Sequence, residues 1–187
     1  FTVPDISLPG ILHTRSDCGW GNVGHAFDLD GTDEASITRA LVDCRRRLPE
    51  YEAYYRNFVP GCEKAALQLT APVLGVRETR RITGEYVLNV EDFKRQAVFD
   101  DEIGRYAYPV DLHSPRPCRE RKADDSFQTL RYRNPGESYG IPFRCLLPRT
   151  LENVLVAGRC VSTDRYMHGS LRVQPGCHIT GQAAGAA

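Results

Sequence analysis

Two stretches near the C-terminal end hold the residues best placed to do chemistry. Gly169-Ser170-Leu171-Arg172-Val173-Gln174-Pro175 leads into a run of small residues, with Pro175 suited to the first turn of a helix. The open amides of such a turn, with the helix dipole behind them, make a site for negative charge. Just upstream, Glu152 to Ser162 (ENVLVAGRCVS) reads as a buried strand, Val154 to Ala157, ending at Gly158. A glycine there lets a ligand approach the backbone closely. A tightly packed strand and helix with no ligand would explain the same residues, and the residues alone leave both readings open. Histidines stand at positions 13, 25, 113, 168 and 178. Imidazole is the side chain best suited to proton transfer near neutral pH, although a lone histidine is often structural.

Other patterns lead nowhere. Gly19-Trp20-Gly21-Asn22-Val23-Gly24 has the glycine spacing of a dinucleotide fingerprint. That fingerprint needs a buried strand before it and a helix after it, and neither flank fits, so a glycine-rich hairpin is the better reading. Asp28 to Glu34 hints at a calcium loop, but its glycine comes too early and no Glu closes the ligand set. The histidines and cysteines form no metal pairs; Cys177 and His178 are adjacent on a predicted helix and point apart. Arg45-Arg46-Arg47 lacks interleaved aromatics or glycines and reads as a solvated helix face.

The elements that must position these groups are mixed. The chain has 187 residues with 24 basic and 24 acidic side chains, a balance that argues against capture of nucleic acid or anionic lipid. No apolar run approaches the ~20 residues of a membrane-spanning helix. A hairpin or loop is predicted over His13 to Leu29. Thr32 then caps a helix on which Ile37, Ala40, Leu41, Cys44 and Leu48 recur at helical spacing. Pro49 breaks it, and a short second helix runs to Phe58, ended by Pro60-Gly61. Strands are predicted at Leu67 to Thr70, Tyr106 to His113, Leu130 to Arg133, Ile141 to Leu147 and Asn153 to Ala157. Asn89 caps a brief helix to about Ala97, Ser114 to Asp125 is a loop, and a last helix starts at Pro175. The class is α+β with antiparallel strands. Seven scattered cysteines favour reduced thiols in a cytosol-like compartment over a disulfide framework. With no initiator Met and an uncapped helical end, the sequence reads as a piece of a longer protein.

Six segments, in order, resemble the C-terminal part of FAD-dependent oxidoreductases with a glutathione-reductase-type flavin fold. They are FVPGCEKA (Phe58 to Ala65), GVRETRRITGEY (Gly75 to Tyr86), YPVDLHSP (Tyr108 to Pro115), YGIPFRCLLP (Tyr139 to Pro148), ENVLVAGRCVS (Glu152 to Ser162) and HGSLRVQPGCHITGQAAG (His168 to Gly185). The resemblance implies an antiparallel substrate-domain region over residues 1–150. Residues 151–187 would be the returning strand-helix segment of an FAD-binding domain whose N-terminal fingerprint is absent. It implies FAD as cofactor, with Gly158 and Arg159 near the ribityl and phosphate region. Gly169, Ser170, Arg172 and the amides from Val173 onward would face the flavin ring. Arg77, Glu78, Arg80 and Arg81 fall in a motif that resembles part of the family's substrate site, and an ion-pair network is the competing reading for at least two of them. Arg144 and His113, each in one of these segments, become candidates for substrate binding or proton transfer, and His168, beside the flavin-facing turn, becomes the first proton-transfer candidate.

The expected function is hydride transfer from a small organic substrate to flavin, with the fragment alone inactive. The missing FAD-binding segment of the same protein would be its partner, with no nucleic acid, membrane or metal involved and a cytoplasmic location. A non-catalytic substrate-domain fragment or interaction module that binds no flavin by itself is the alternative.

Overall fold

The computed structural model describes Thr2 and residues 11–15, 17–113 and 130–187. Helices are mixed with small antiparallel sheets, as the α+β reading expects. The described residues divide into two units, one running to Val76 and the other taking in Arg77–His113 and residues 130–187. The boundary expected at residue 150 falls inside the second unit. The segment expected as a loop from Ser114 to Asp125 lies outside the described residues.

In the first unit, β1 (Leu12–Arg15) pairs antiparallel with β2 (Cys18–Trp20), Leu12 opposite Trp20, with an irregularity between His13 and Arg15. No helix follows β2 until α1 (Glu34–Arg46), so the glycines from Gly19 to Gly24 serve a hairpin and the coil after it. Asp33 caps α1, not Thr32: its carboxylate accepts from the Ala35 and Ser36 amides at 3.2 and 3.0 Å. The Thr32 hydroxyl is spent on Asp30, 2.7 Å away. A carboxylate with two acceptors takes two of the orphan first-turn amides at once, and its charge suits the dipole. Then α2 (Leu48–Phe58) carries Pro49 in its first turn, where no amide is needed. Leu67 to Thr70 is not a strand; Leu69 is 86% exposed and no described strand pairs with this stretch.

In the second unit, Asn89 caps α3 (Val90–Lys94) through a reciprocal capping box with Asp92. The Asp92 carboxylate is 1% exposed and accepts from the Tyr86 hydroxyl, the Asn89 amide and Arg95 at 2.9, 3.0 and 2.6 Å. β3 (Glu102–Tyr106) runs antiparallel to β4 (Tyr139–Pro142), with Tyr106 opposite Tyr139. The ladder stops at Tyr106, so the strand expected from there to His113 is extended chain, as are Leu130 to Arg133; a Val110 amide bond to the Leu130 carbonyl at 2.8 Å links the two. After Pro142 the chain turns into a 3-10 turn, Phe143–Cys145, where continued strand was expected.

Asn153 to Ala157 also forms no strand. Its Val156 amide reaches the Leu146 carbonyl at 2.9 Å, no ladder follows, and Val154 is 40% exposed, which corrects the buried-strand expectation. The core gathers Leu88, Phe93, Val110, Tyr139, Ile141, Leu146, Met167 and Leu171. Against it lie α4 (Arg165–Leu171), which was not expected, and α5 (Gln174–Ala186), which was. Asp164 fixes α4 from both ends of its carboxylate, accepting from the Met167 amide at 2.7 Å and from the Val90 amide of α3 at 2.8 Å.

Cys18, Cys44, Cys62, Cys145, Cys160 and Cys177 are thiols outside any disulfide, and burial pushes Cys145 up to about 12. Cys118 lies outside the described residues. No helix among the described residues is long and apolar enough to cross a membrane. Nor do three or more His, Cys, Asp or Glu side chains among them converge as a metal site.

Candidate functional site

Three separate stretches meet around the end of α4: the charged segment after Val76, the extended chain Tyr108 to His113, and the turn between α4 and α5. What seats them is a close approach. A side chain on Gly169 would meet Leu112 Cδ2 at 2.9 Å and the Asp111 carbonyl at 3.0 Å, so only glycine lets α4 lie directly on this chain. The next residue locks the seating. Ser170 donates to the Tyr108 carbonyl at 2.6 Å and shares a 2.9 Å bond with the Tyr139 hydroxyl. Two of the residues expected to face a flavin ring, Gly169 and Ser170, are thus enclosed in packing.

His168 sits in the last turn of α4 with 2% of its surface exposed. Its Nδ1 is buried with no hydrogen-bond partner among the described residues, 3.8 Å from Glu78 Oε2. Burial lowers the pKa of the ring from the ordinary 6.5; the Glu78 carboxylate and a backbone group of Arg159 work against that, and Arg81 and Arg172 add to it. The imidazole is therefore neutral at pH 7, with the lone pair or proton at Nδ1 unmatched among the described residues.

That depression has a measurable consequence. Between 6.5 and the lower folded value the unfolded chain binds a proton that the native protein does not, so acidification favours unfolding. The stabilisation is present above 6.5 and is lost as pH falls below it. Urea-unfolding free energy should decline over that window, and His168→Asn should flatten the slope. An unchanged slope in the variant would assign the pH dependence to other groups.

The charges around His168 form one network. Glu78 accepts from Arg81 at 2.6 Å. Arg172 Nη2 donates to the Asp111 carbonyl at 3.0 Å and to Asp111 Oδ2 at 3.2 Å. His113 Nε2 lies 2.7 Å from Arg77 Nη1 and 3.2 Å from Asp111 Oδ2; one ring nitrogen accepts from the first or donates to the second, not both. The bond from His113, with the nearby cations of Arg172 and Arg77, holds the Asp111 carboxyl below its usual range against its partial burial. Burial, then the neighbouring Arg77 cation, lowers Arg172, while Asp111 and Glu78 pull it back.

The sequence candidates Arg77, Glu78, Arg81, His113, His168 and Arg172 thus come together. Arg80 is exposed and takes no part in these bonds. Arg144 stands apart, clasping Asp101 through Nε and Nη2 at 3.0 and 3.1 Å with its guanidinium 5.3 Å from the Tyr86 ring centre. Asp111 was missed. In extended chain residues two apart share a face, so the Asp111–His113 spacing was the available signal.

A second feature lies at Gly158 and α5. Gly158 has φ +77, a conformation that favours glycine, and nothing stands within 4 Å of where a side chain would be. Its amide donates to Thr180 Oγ1 at 2.9 Å, and that hydroxyl donates back to the Cys177 carbonyl at 3.0 Å. Thr180, also missed, ties the turn of half-buried Gly158 and exposed Arg159 to α5. At the start of α5, Val173 holds the cap position and provides no side-chain hydrogen bond to the first-turn amides.

A family model described as FAD dependent oxidoreductase matches residues 11–187. No curated protein and no solved structure matches the chain.

Proposed function

The chain belongs to the FAD dependent oxidoreductase family, and from that premise we propose that it forms the flavin-side wall and substrate pocket of an enzyme that oxidises a small organic molecule. The observation that carries this reading is the orphaned Nδ1 of His168, a buried polar atom 3.8 Å from a Glu78 carboxylate oxygen, too distant to bond it. Buried polar atoms without partners are costly, and a bound ligand relieves that cost.

The residues present fit the cofactor. Gly158 leaves its backbone open, with Arg159 beside it, and the first turn of α5 after Arg172 and Val173 offers amides without a side-chain cap to an electron-rich edge. When bound, FAD supplies an acceptor for the hydride removed from substrate. The chain supplies the rest. His168, neutral, holds or takes a proton at Nδ1; Glu78, steadied by Arg81, faces that nitrogen and favours the protonated ring as it forms. The packing of Gly169 and Ser170 keeps Asp111, and through it Arg172, in register with His168. The nucleotide end of FAD is assigned to a partner segment of the same protein.

The full-length protein saturated with FAD should show flavin absorbance and resist unfolding better than without FAD. If it shows neither, this reading fails and the non-catalytic alternative stands. Arg172→Ala in that protein should weaken FAD binding or slow flavin reduction about 10-fold to 100-fold, the size of a lost charge-assisted contact. Unchanged affinity and rate would remove Arg172 from the site.

A further inference from the structure

Resting on the reading above, we propose that the substrate is a carboxylic acid whose carboxylate is gripped by Arg77 and Arg172, which sets the neighbouring reactive group beside His168 Nδ1. Three guanidiniums, of Arg77, Arg81 and Arg172, meet two carboxylates, of Glu78 and Asp111. The pairing is uneven. Arg81 is taken by Glu78 and Arg172 by Asp111, while the close contact of Arg77 is with an imidazole nitrogen. Among the described residues one positive charge is left over, joined through His113 and Asp111 to Arg172, whose side chain is only 10% exposed.

Two like charges so placed repel each other, and burial strengthens the repulsion. A planar anion accepting from both forks cancels it and makes the strong bidentate bonds that arginine favours. The count also selects the anion. A carboxylate carries one charge and balances the cluster, whereas a phosphate dianion would bring a second charge toward Glu78 and Asp111. The orphaned Nδ1 of His168 is the independent sign that something polar belongs here, because the cluster as it stands leaves that atom unpaired.

The test titrates FAD-loaded full-length protein with acetate, benzoate and succinate, each against its primary amide, following the flavin spectrum and the heat of binding. The acids should bind about tenfold or more tightly than the amides, and Arg77→Gln should lose most of that preference. Arg77 is the half-exposed member, so its variant should keep the wild-type FAD absorbance and melting point; Arg172→Lys serves as the second variant and should weaken acids by loss of the fork. Acids and amides that bind alike, no binding of either, or inorganic phosphate binding more tightly than the acids would overturn the proposal. Failure of the protein to take up FAD would sink the functional reading instead, and calorimetry of the FAD-free protein with the same acids then decides the carboxylate site by itself.

Discussion

Replacing His168 by Asn should slow substrate-driven flavin reduction in the full-length protein by about 100-fold to 10,000-fold, the usual span for losing a positioned acid or base. Asparagine keeps a polar atom near the position of Nδ1 and fills part of the ring's volume, so it removes proton transfer with little change to packing. FAD absorbance should be retained, which separates a chemical defect from a binding defect. The pH profile gives a second, independent readout. Burial holds the wild-type ring neutral down to a pH below 6.5, so the reduction rate should be flat at neutrality and fall only on the acid side of that value. The variant should lack this acid limb. A variant that reduces its flavin at the wild-type rate would remove His168 from the mechanism, and an acid limb that survives the substitution would assign it to another group.

What could be read from the residues was what local physics decides. The hydrophobic spacing of α1, the Asn89 cap and Pro175 near the start of α5 each declare themselves within one turn of chain. Even there, the choice of Asp33 over Thr32 depended on which side chain reached the amides. Strands fared worse. Leu67 to Thr70, Leu130 to Arg133 and Asn153 to Ala157 have apolar or β-branched residues, but a strand exists only where a second chain pairs with it, and composition does not report a partner. In α4, Gly169 and Ser170 are weak helix formers, and tertiary packing overrides them. Its one legible sign was Asp164, a good N-cap residue placed before Arg165.

The site was legible as residue types but not as a place. Arg77, Glu78, Arg80 and Arg81 stood in one motif, yet only three of them joined the cluster, because Arg81 comes back onto Glu78 while Arg80 is left exposed. Nothing local could say that His168, 90 positions beyond Glu78, would be the residue facing it. That meeting is produced by the seating of α4 on Asp111 and Leu112, a long-range fit that depends on the absence of a side chain at Gly169.

Gly169→Val should therefore destabilise the protein by about 3 kcal/mol, at the upper end of ordinary overpacking. The added Cβ alone would stand 3.0 Å from a backbone carbonyl, that of Asp111, which cannot swing aside as the end of a long side chain could. Leu112 Cδ2, at 2.9 Å, belongs to a half-buried side chain packed against the core and must shift as well. Relief must come from moving α4 away from the extended chain, which lengthens the Ser170 bond to Tyr108 and separates Arg172 from Asp111. Loss of stability and loss of the charge cluster are thus one event. Urea unfolding should show the drop, and the carboxylate titration of the folded fraction should show weakened binding alongside it. A Gly169→Val variant as stable as wild type would mean that α4 has room to spare on this face. The network of Arg77, Asp111, His113 and Arg172 would then not owe its geometry to a glycine.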